Sequence, residues 1–308
     1  MSGMPIRIVS RYGGGKNNFM YSRLRLAQKY LRYYFTAANG RGHGIHSPFV
    51  YEFVRRVLCD RSEDPAFAAI EGLRRRLMRD ASVLEVEDMG AGSADGRVGA
   101  EEGTTGGVED RTRARRVAEM ALRAAKPPRL GRLLFRLARY YQPAVVVELG
   151  TSLGLSTAYL GAGAGMRVTE GEGMQRGRMW TIEGSAVVAE RAAGHLASLG
   201  LEAVEVVTGN FDAVLEPLLE RVGPVDLAFV DGNHRYEPTM RYFDVLMRHS
   251  GPAAILVFDD IHWSGEMEQA WAEIKADPRV MMTIDLFFFG LVVRRDEFKV
   301  KQDFTIRL

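Results

Sequence analysis

The chain has one cysteine, Cys59, in 308 residues. That excludes an internal disulfide framework and a zinc cluster built on cysteines. No apolar run approaches the length of a membrane span. The opening residues, MSGMPIRIVSRYGGGKNNF, lack the apolar centre of a secretory signal, so a cytoplasmic location is the expectation. Charge of one sign is also lacking: the formal net charge is +2, which implies no global electrostatic partner. No internal repeat is visible. What is present, 46% hydrophobic and 26% charged residues, is the composition of a globular protein. The length suits one large domain, or a domain with an appendage.

Three parts differ in composition. Residues 1–60 carry ten Lys/Arg against two Asp/Glu. Within them Phe19 to Phe35 reads as a helix with interleaved apolar and basic positions, and a second helix follows near Val50 to Leu58. Between the two lies a loop containing His43 and His46, which we read as joining the helices. The basic helix could touch nucleic acid or acidic lipid, but aromatics spaced among its charges are more often core contacts. Residues 85–110 hold seven glycines, eight acids and one arginine without an apolar period, which reads as a disordered insertion. The expected division is an N-terminal helical extension over 1–84, a flexible acidic segment over 85–111, and a main domain over 112–308. From Thr112 to Tyr141 the pattern is helical, broken at Pro127-Pro128.

From Val145 onward, strand and helix patterns alternate, as in a parallel sheet with helices on both faces. Strands are expected near 145–149, 179–183, 203–207, 225–231 and 253–258. Two further apolar runs around Gly290 suggest a hairpin, and a last strand is expected over Asp303 to Leu308. The first strand leads into the most informative stretch, VVVELGTSLGLSTAYL, residues 145–160. A buried strand ends at Glu148-Leu149. Gly150, Ser152 and Gly154 form a tight turn, and Ser156-Thr157 open a helix. Glycines let the backbone approach a ligand closely, and a helix N-terminus attracts a carboxylate or phosphate. The spacing is not the G-x-G-x-x-G of a dinucleotide site, and the G-K-[ST] of a triphosphate loop is absent.

Further acids sit at later strand ends. Glu183 ends the second strand, where a carboxylate can accept from both hydroxyls of a ribose. Asn210 and Phe211 follow the third. Asp231 ends the fourth, followed by Gly232-Asn233-His234, and Asp259-Asp260 end the fifth. Three carboxylates converging from adjacent strand ends repel one another and are most easily kept by a hard divalent cation such as Mg²⁺. His234, three residues after Asp231, has the near-neutral imidazole suited to proton transfer.

This ordered set resembles the class I S-adenosylmethionine-dependent methyltransferases, over about residues 130–295. The first turn, E-x-G-x-S-x-G-x-S, is similar to motif I of the small metal-dependent O-methyltransferases of the catechol and caffeoyl-CoA type. The run D-G-N-H-x-Y resembles that of the sugar and macrolide O-methyltransferases. The resemblance implies a Rossmann-like, seven-stranded, mostly parallel sheet with the last strand antiparallel. It implies S-adenosylmethionine bound by Glu148, Gly150, Ser152, Gly154, Ser156, Glu183, Asn210, Phe211 and Asp231. Glu148 and Ser156 would hold the methionine end, and Asn210 would face the adenine. Phe211 could stack on the base or cap the helix. The metal ligands would be Asp231, Asp259 and Asp260, with Asp at the third position where the catechol type has Asn. His234 falls in the slot where the catechol type has its proton-accepting lysine.

The expected reaction is methylation of a hydroxyl oxygen on a small molecule or sugar, with His234 and Asp231 as catalytic residues. The partner is a small-molecule acceptor rather than a membrane or a nucleic acid, and the reading leaves room for a homodimer. Two rivals are a nucleic-acid methyltransferase guided by the basic N-terminus and a non-catalytic adenosine-ligand-binding protein.

Overall fold

The computed structural model describes residues 20–38, 40, 45–87, 112–166 and 177–308. Helix α1 (Arg23–Thr36) is capped by the Ser22 hydroxyl, which accepts from the Arg25 N–H. Helix α2 (Pro48–Phe53) starts on a proline and runs into a π turn over Val54–Leu58. Helix α3 (Pro65–Leu77) is capped by Asp64, with Pro65 at its first position, where a missing N–H costs nothing. Strands β1 (Val83–Glu87) and β2 (Thr112–Arg116) pair as an antiparallel hairpin. The expected flexible segment therefore begins inside a strand, and residues 88–111 lie outside the described residues. Residues 112–116, expected to be helical, are the second arm of this hairpin. Helices α4 (Val117–Ala124) and α5 (Pro128–Tyr141) follow, separated by the expected proline break.

The main sheet is built from β3 (Val145–Leu149), β4 (Arg178–Glu183), β5 (Val204–Thr208), β6 (Val225–Val230), β7 (Ser250–Asp259), β8 (Met282–Asp285), β9 (Phe289–Val293) and β10 (Gln302–Thr305). Between them run α6 (Leu155–Gly163), α7 (Ala186–Ala197), α8 (Phe211–Val222), α9 (Tyr236–His249) and α10 (Gly265–Ala276). The spatial order is β10-β8-β9-β7-β6-β3-β4-β5, and only β9 runs antiparallel to its neighbours. The seven strands expected are present. The final strand adds an eighth, pairing parallel on the outer edge of β8. Gly290 is not the turn of the β8–β9 hairpin. It lies inside β9, where a Cβ would come 2.7 Å from the Trp271 ring, so the glycine admits the indole.

The sheet is buried on both faces, which is why β3 reads as an unbroken apolar run. On one side α3, α5 and α6 share a core with the sheet that includes Phe67, Phe135 and Tyr159. On the other, α8, α9 and α10 pack through residues such as Leu219, Phe243 and Trp271. Helices α2 and α3 share the first core, whereas α1 packs Tyr33 and the adjoining Ala37 on Phe287 in a small separate cluster. Helix α1 docks at the β8 end of the sheet. His262 bridges Glu268 (3.0 Å) and Asp285 (2.8 Å), and Glu268 in turn accepts from Lys29 Nζ (2.8 Å) and Tyr21 OH (2.7 Å). No described helix is long and apolar enough to cross a membrane.

Candidate active site

The carboxyl ends of β6, β3, β4 and β5 lie side by side, and the residues following them line a cavity of about 440 Å³. That is the size range of a small-molecule site. Its floor is the turn after β3. Gly150 has φ +104°, and a Cβ there would lie 2.3 Å from the Asp231 carbonyl oxygen. The first glycine therefore lets β3 end against the backbone at the end of β6, where the Asp231 N–H donates to the Leu149 carbonyl (2.8 Å). Ser152 and Gly154 also take positive φ, at 47° and 82°, and Gly154 is the N-cap of α6. The first-turn N–H groups of a helix have no partner within the helix, and Leu155 and Ser156 of that turn line the cavity.

Glu183, at the tip of β4, ties this floor together. Its Oε2 accepts from the Ser152 N–H (2.8 Å) and its Oε1 from the Ser185 N–H (3.1 Å). Burial raises its pKa against these bonds. Each oxygen retains a second lone pair for a ligand hydroxyl, and Glu183 is on the cavity wall. Asn210 caps α8, accepting from the Asp212 N–H (2.9 Å). Phe211 begins that helix, and its ring lies over Gly232 and edge-on to Tyr242 at 5.7 Å between centroids. Asn210, Phe211, Gly232 and Tyr242 all line the cavity. The hairpin reaches the same cavity through Val86, Glu87 and Arg115.

Glu148 has a different place from the one the resemblance implies. It is wholly buried and lies behind the wall rather than on it. Its Oε2 accepts from Thr157 (2.5 Å) and Thr181 (2.7 Å), stapling β3 to α6 and β4, while Oε1 is buried without a partner in the protein. With no cation beside it, desolvation pushes the carboxyl up to about 7, against the pull of the Thr157, Thr181 and Ser156 hydroxyls. A carboxyl whose folded pKa lies above its unfolded value of 4.5 binds more protons in the native state, so its contribution to stability falls as pH rises from about 4.5 to about 7. The difference amounts to roughly 3 kcal/mol. Urea melts of the ligand-free protein between pH 5 and 8 are expected to show this decline, and Glu148→Gln to flatten it. An equal slope in both proteins would place the titration elsewhere.

Two of the three expected metal ligands come together. Asp231, His234 and Asp259 each offer an atom within 4.8 Å of the others. Asp260 is not in this set. Asp260 lies just past β7 with φ +54°, and its charge still acts on Asp231. The space between the two acids is taken by a residue that no motif revealed. Lys126 Nζ lies 3.0 Å from Asp231 Oδ1 and donates directly to Asp259 Oδ2. Lys126 is 9% exposed and Asp259 1%. Asp259 Oδ1 is buried without a partner in the protein. Burial and the nearby charge of Asp260 raise the pKa of Asp231, while Lys126 and His234 lower it. His234 Nε2 is 3.6 Å from Asp231 Oδ1, and the imidazole is on the wall. His46 does not line this cavity, and His43 lies outside the described residues.

Residues 147–261 match the family model described as a methyltransferase domain. The matched residues run from the middle of β3 to just past β7, so they hold every wall residue named above except Lys126 and those of the hairpin. The chain is 29% identical to a catechol O-methyltransferase of Niastella koreensis over 46% of its own length and 59% of the relative's. It is 33% identical to a catechol O-methyltransferase of Mycobacterium tuberculosis, over 45% of its own length and 60% of the relative's. It thus spans about three fifths of the curated relatives it matches. Among solved structures, an O-methyltransferase from Bacillus cereus in complex with SAH aligns with TM-score 0.49 and 18% identity, covering 80% of this chain and 97% of that one. The matched region is preceded here by the helices and the hairpin, and the hairpin lines one side of the cavity.

Proposed function

We propose that the protein transfers a methyl group from S-adenosylmethionine to a hydroxyl oxygen of a small molecule. The observation that carries this reading is one cavity that has a nucleoside-binding wall and a proton-accepting wall. Glu183 and the glycine turn lie on the first, and His234 lies beside Asp231 on the second, with the buried Asp259 behind them. The cradle fits the cofactor on its own geometry. The left-handed Gly150 keeps the floor flat where any Cβ would strike the Asp231 backbone. Glu183 has lone pairs left for a ribose diol, the N-terminus of α6 suits the cofactor's carboxylate, and the Phe211 ring provides an apolar surface for the base.

The cofactor supplies an electrophilic methyl on a sulfonium, whose C–S bond breaks as the O–C bond forms, the electron pair staying on sulfur. The protein holds the acceptor in line and removes its proton. His234 Nε2 takes the hydroxyl proton, and Asp231 stabilises the resulting imidazolium. The hairpin and the segment around Lys126 cover the cavity from the side of the N-terminal helices, limiting water. The similarity of the matched region to two proteins named catechol O-methyltransferase favours a hydroxylated acceptor.

The divalent ion expected from the sequence fits less well. Asp231 and Asp259 are in place, but Asp260 is not, and an ion at the usual ~2.1 Å from the two acid oxygens would overlap the Lys126 ammonium. The test of the function is transfer of label from methyl-labelled cofactor to a panel of catechols, sugars and other hydroxylated small molecules, with RNA and duplex DNA alongside. Label is expected in a small hydroxylated compound. Label in nucleic acid alone would overturn the acceptor class, and cofactor binding with no transfer to any compound would favour a binding protein.

A further inference from the structure

We propose that the cation serving the acid pair at the ends of β6 and β7 is the chain's own Lys126, and that the site works without a divalent metal. This rests on the reading of the cavity as a methyl-transfer site.

The placement of Lys126 is built into the local sequence. It stands between α4 and α5, immediately before Pro127-Pro128. A residue before proline is driven out of the helical region into an extended conformation, and Pro127 is itself extended, with φ −52° and ψ 146°. Lys126 therefore cannot join either helix, and its long stem runs from this fixed link to the sheet edge. A buried ammonium persists where it is paired, and this one has two carboxylates, each from a different strand. One point charge with three donors suits two acids converging from neighbouring strand ends.

Charge balance agrees. Two carboxylates, one ammonium and one bound sulfonium offset one another. A divalent ion added beside Lys126 would leave the pocket strongly positive next to a positively charged cofactor. A third carboxylate would relieve that, but Asp260, whose charge still acts on Asp231, offers no atom within the 4.8 Å set formed by Asp231, His234 and Asp259. In this arrangement Lys126 does what a metal ion would do: it holds Asp231 and Asp259 apart and places positive charge where the acceptor oxygen becomes negative as His234 takes its proton. Fixed donors aimed at a developing oxyanion are worth about 10²–10³ in rate.

The test is a titration of Mn²⁺ alone, followed by electron paramagnetic resonance, into the chelator-treated full chain. Wild-type protein is expected to hold no Mn²⁺ at this site below roughly 1 mM. Lys126→Ala leaves the acid pair bare and is expected to bind Mn²⁺ at least about tenfold more tightly. That gain should vanish when Asp231→Asn is added, a result a merely structural role for Lys126 does not give. If Lys126→Ala fails to fold, Lys126→Met keeps most of the stem and serves instead. Tight wild-type binding that Asp231→Asn abolishes would show Lys126 to be displaced by metal, and would overturn the proposal. Failure of both wild type and the Lys126 variant to bind would remove Lys126 as the occupant of a cation site. Calorimetry with S-adenosylhomocysteine on the same samples keeps the two readings apart, because loss of cofactor binding undermines methyl transfer without altering the Mn²⁺ result.

Discussion

His234→Ala is expected to lower the rate of methyl transfer by about 10²–10⁴-fold, the usual worth of a positioned general base. His234 lies on the cavity wall next to Asp231, four residues beyond the end of β6, and no other histidine among the described residues lines the cavity. Cofactor affinity is expected to change by less than about twofold, because the nucleoside wall is built on β3 and β4. Single-turnover rates with the acceptor found by label transfer, paired with calorimetry, separate the two quantities. A variant with wild-type turnover would assign proton removal to solvent or to another group.

The second large effect is expected at Gly150. In Gly150→Ala the new methyl would meet the Asp231 carbonyl oxygen at 2.3 Å, in a backbone with φ +104°. Neither partner can rotate away, since one is main chain and the other is held by the Asp231–Leu149 hydrogen bond. Overpacking and backbone strain each cost about 1–3 kcal/mol, so the combined loss should approach 3 kcal/mol or more. For a chain of this size the Tm would fall by roughly 5 °C. Gly194→Ala is the control: it sits inside α7 with nothing within 4 Å of the added Cβ, and alanine there should be neutral or slightly stabilising. Equal melting temperatures for the two variants would mean that the turn after β3 is not constrained as described.

Much of this site was legible because its signals are local or follow from parallel-sheet topology. Positive φ at Gly150 and Gly154 is written into the glycines themselves. Asp231 and Asp259 meet because both end neighbouring parallel strands, which places them on one edge whatever the loops do. Asp260 follows β7 in a left-handed conformation that the run of acids does not announce. Glu148 reads as a ligand by its position in the motif, yet it is a buried staple, because β3 is covered on both faces and leaves its penultimate side chain no route to the cavity. Lys126 carries no motif at all. It reaches the acids from more than a hundred residues away in the chain, and its only local mark is the Lys-Pro-Pro run. The hairpin was hidden for another reason. Val83–Glu87 alternates as a strand should, but it merges into the acidic segment, and Thr112–Arg116 is too rich in arginine to read as a strand. Helix α10 went unassigned although Ser264 caps it.

The central claim is that Glu183 and the glycine turn form an S-adenosylmethionine site. Calorimetric titration of S-adenosylhomocysteine into the wild-type chain and into Glu183→Ala tests it most directly. One-site binding is expected, weakened about 10- to 100-fold by loss of the carboxylate that meets the ribose hydroxyls. Absence of binding, or tighter binding of NAD than of S-adenosylhomocysteine, would contradict the account.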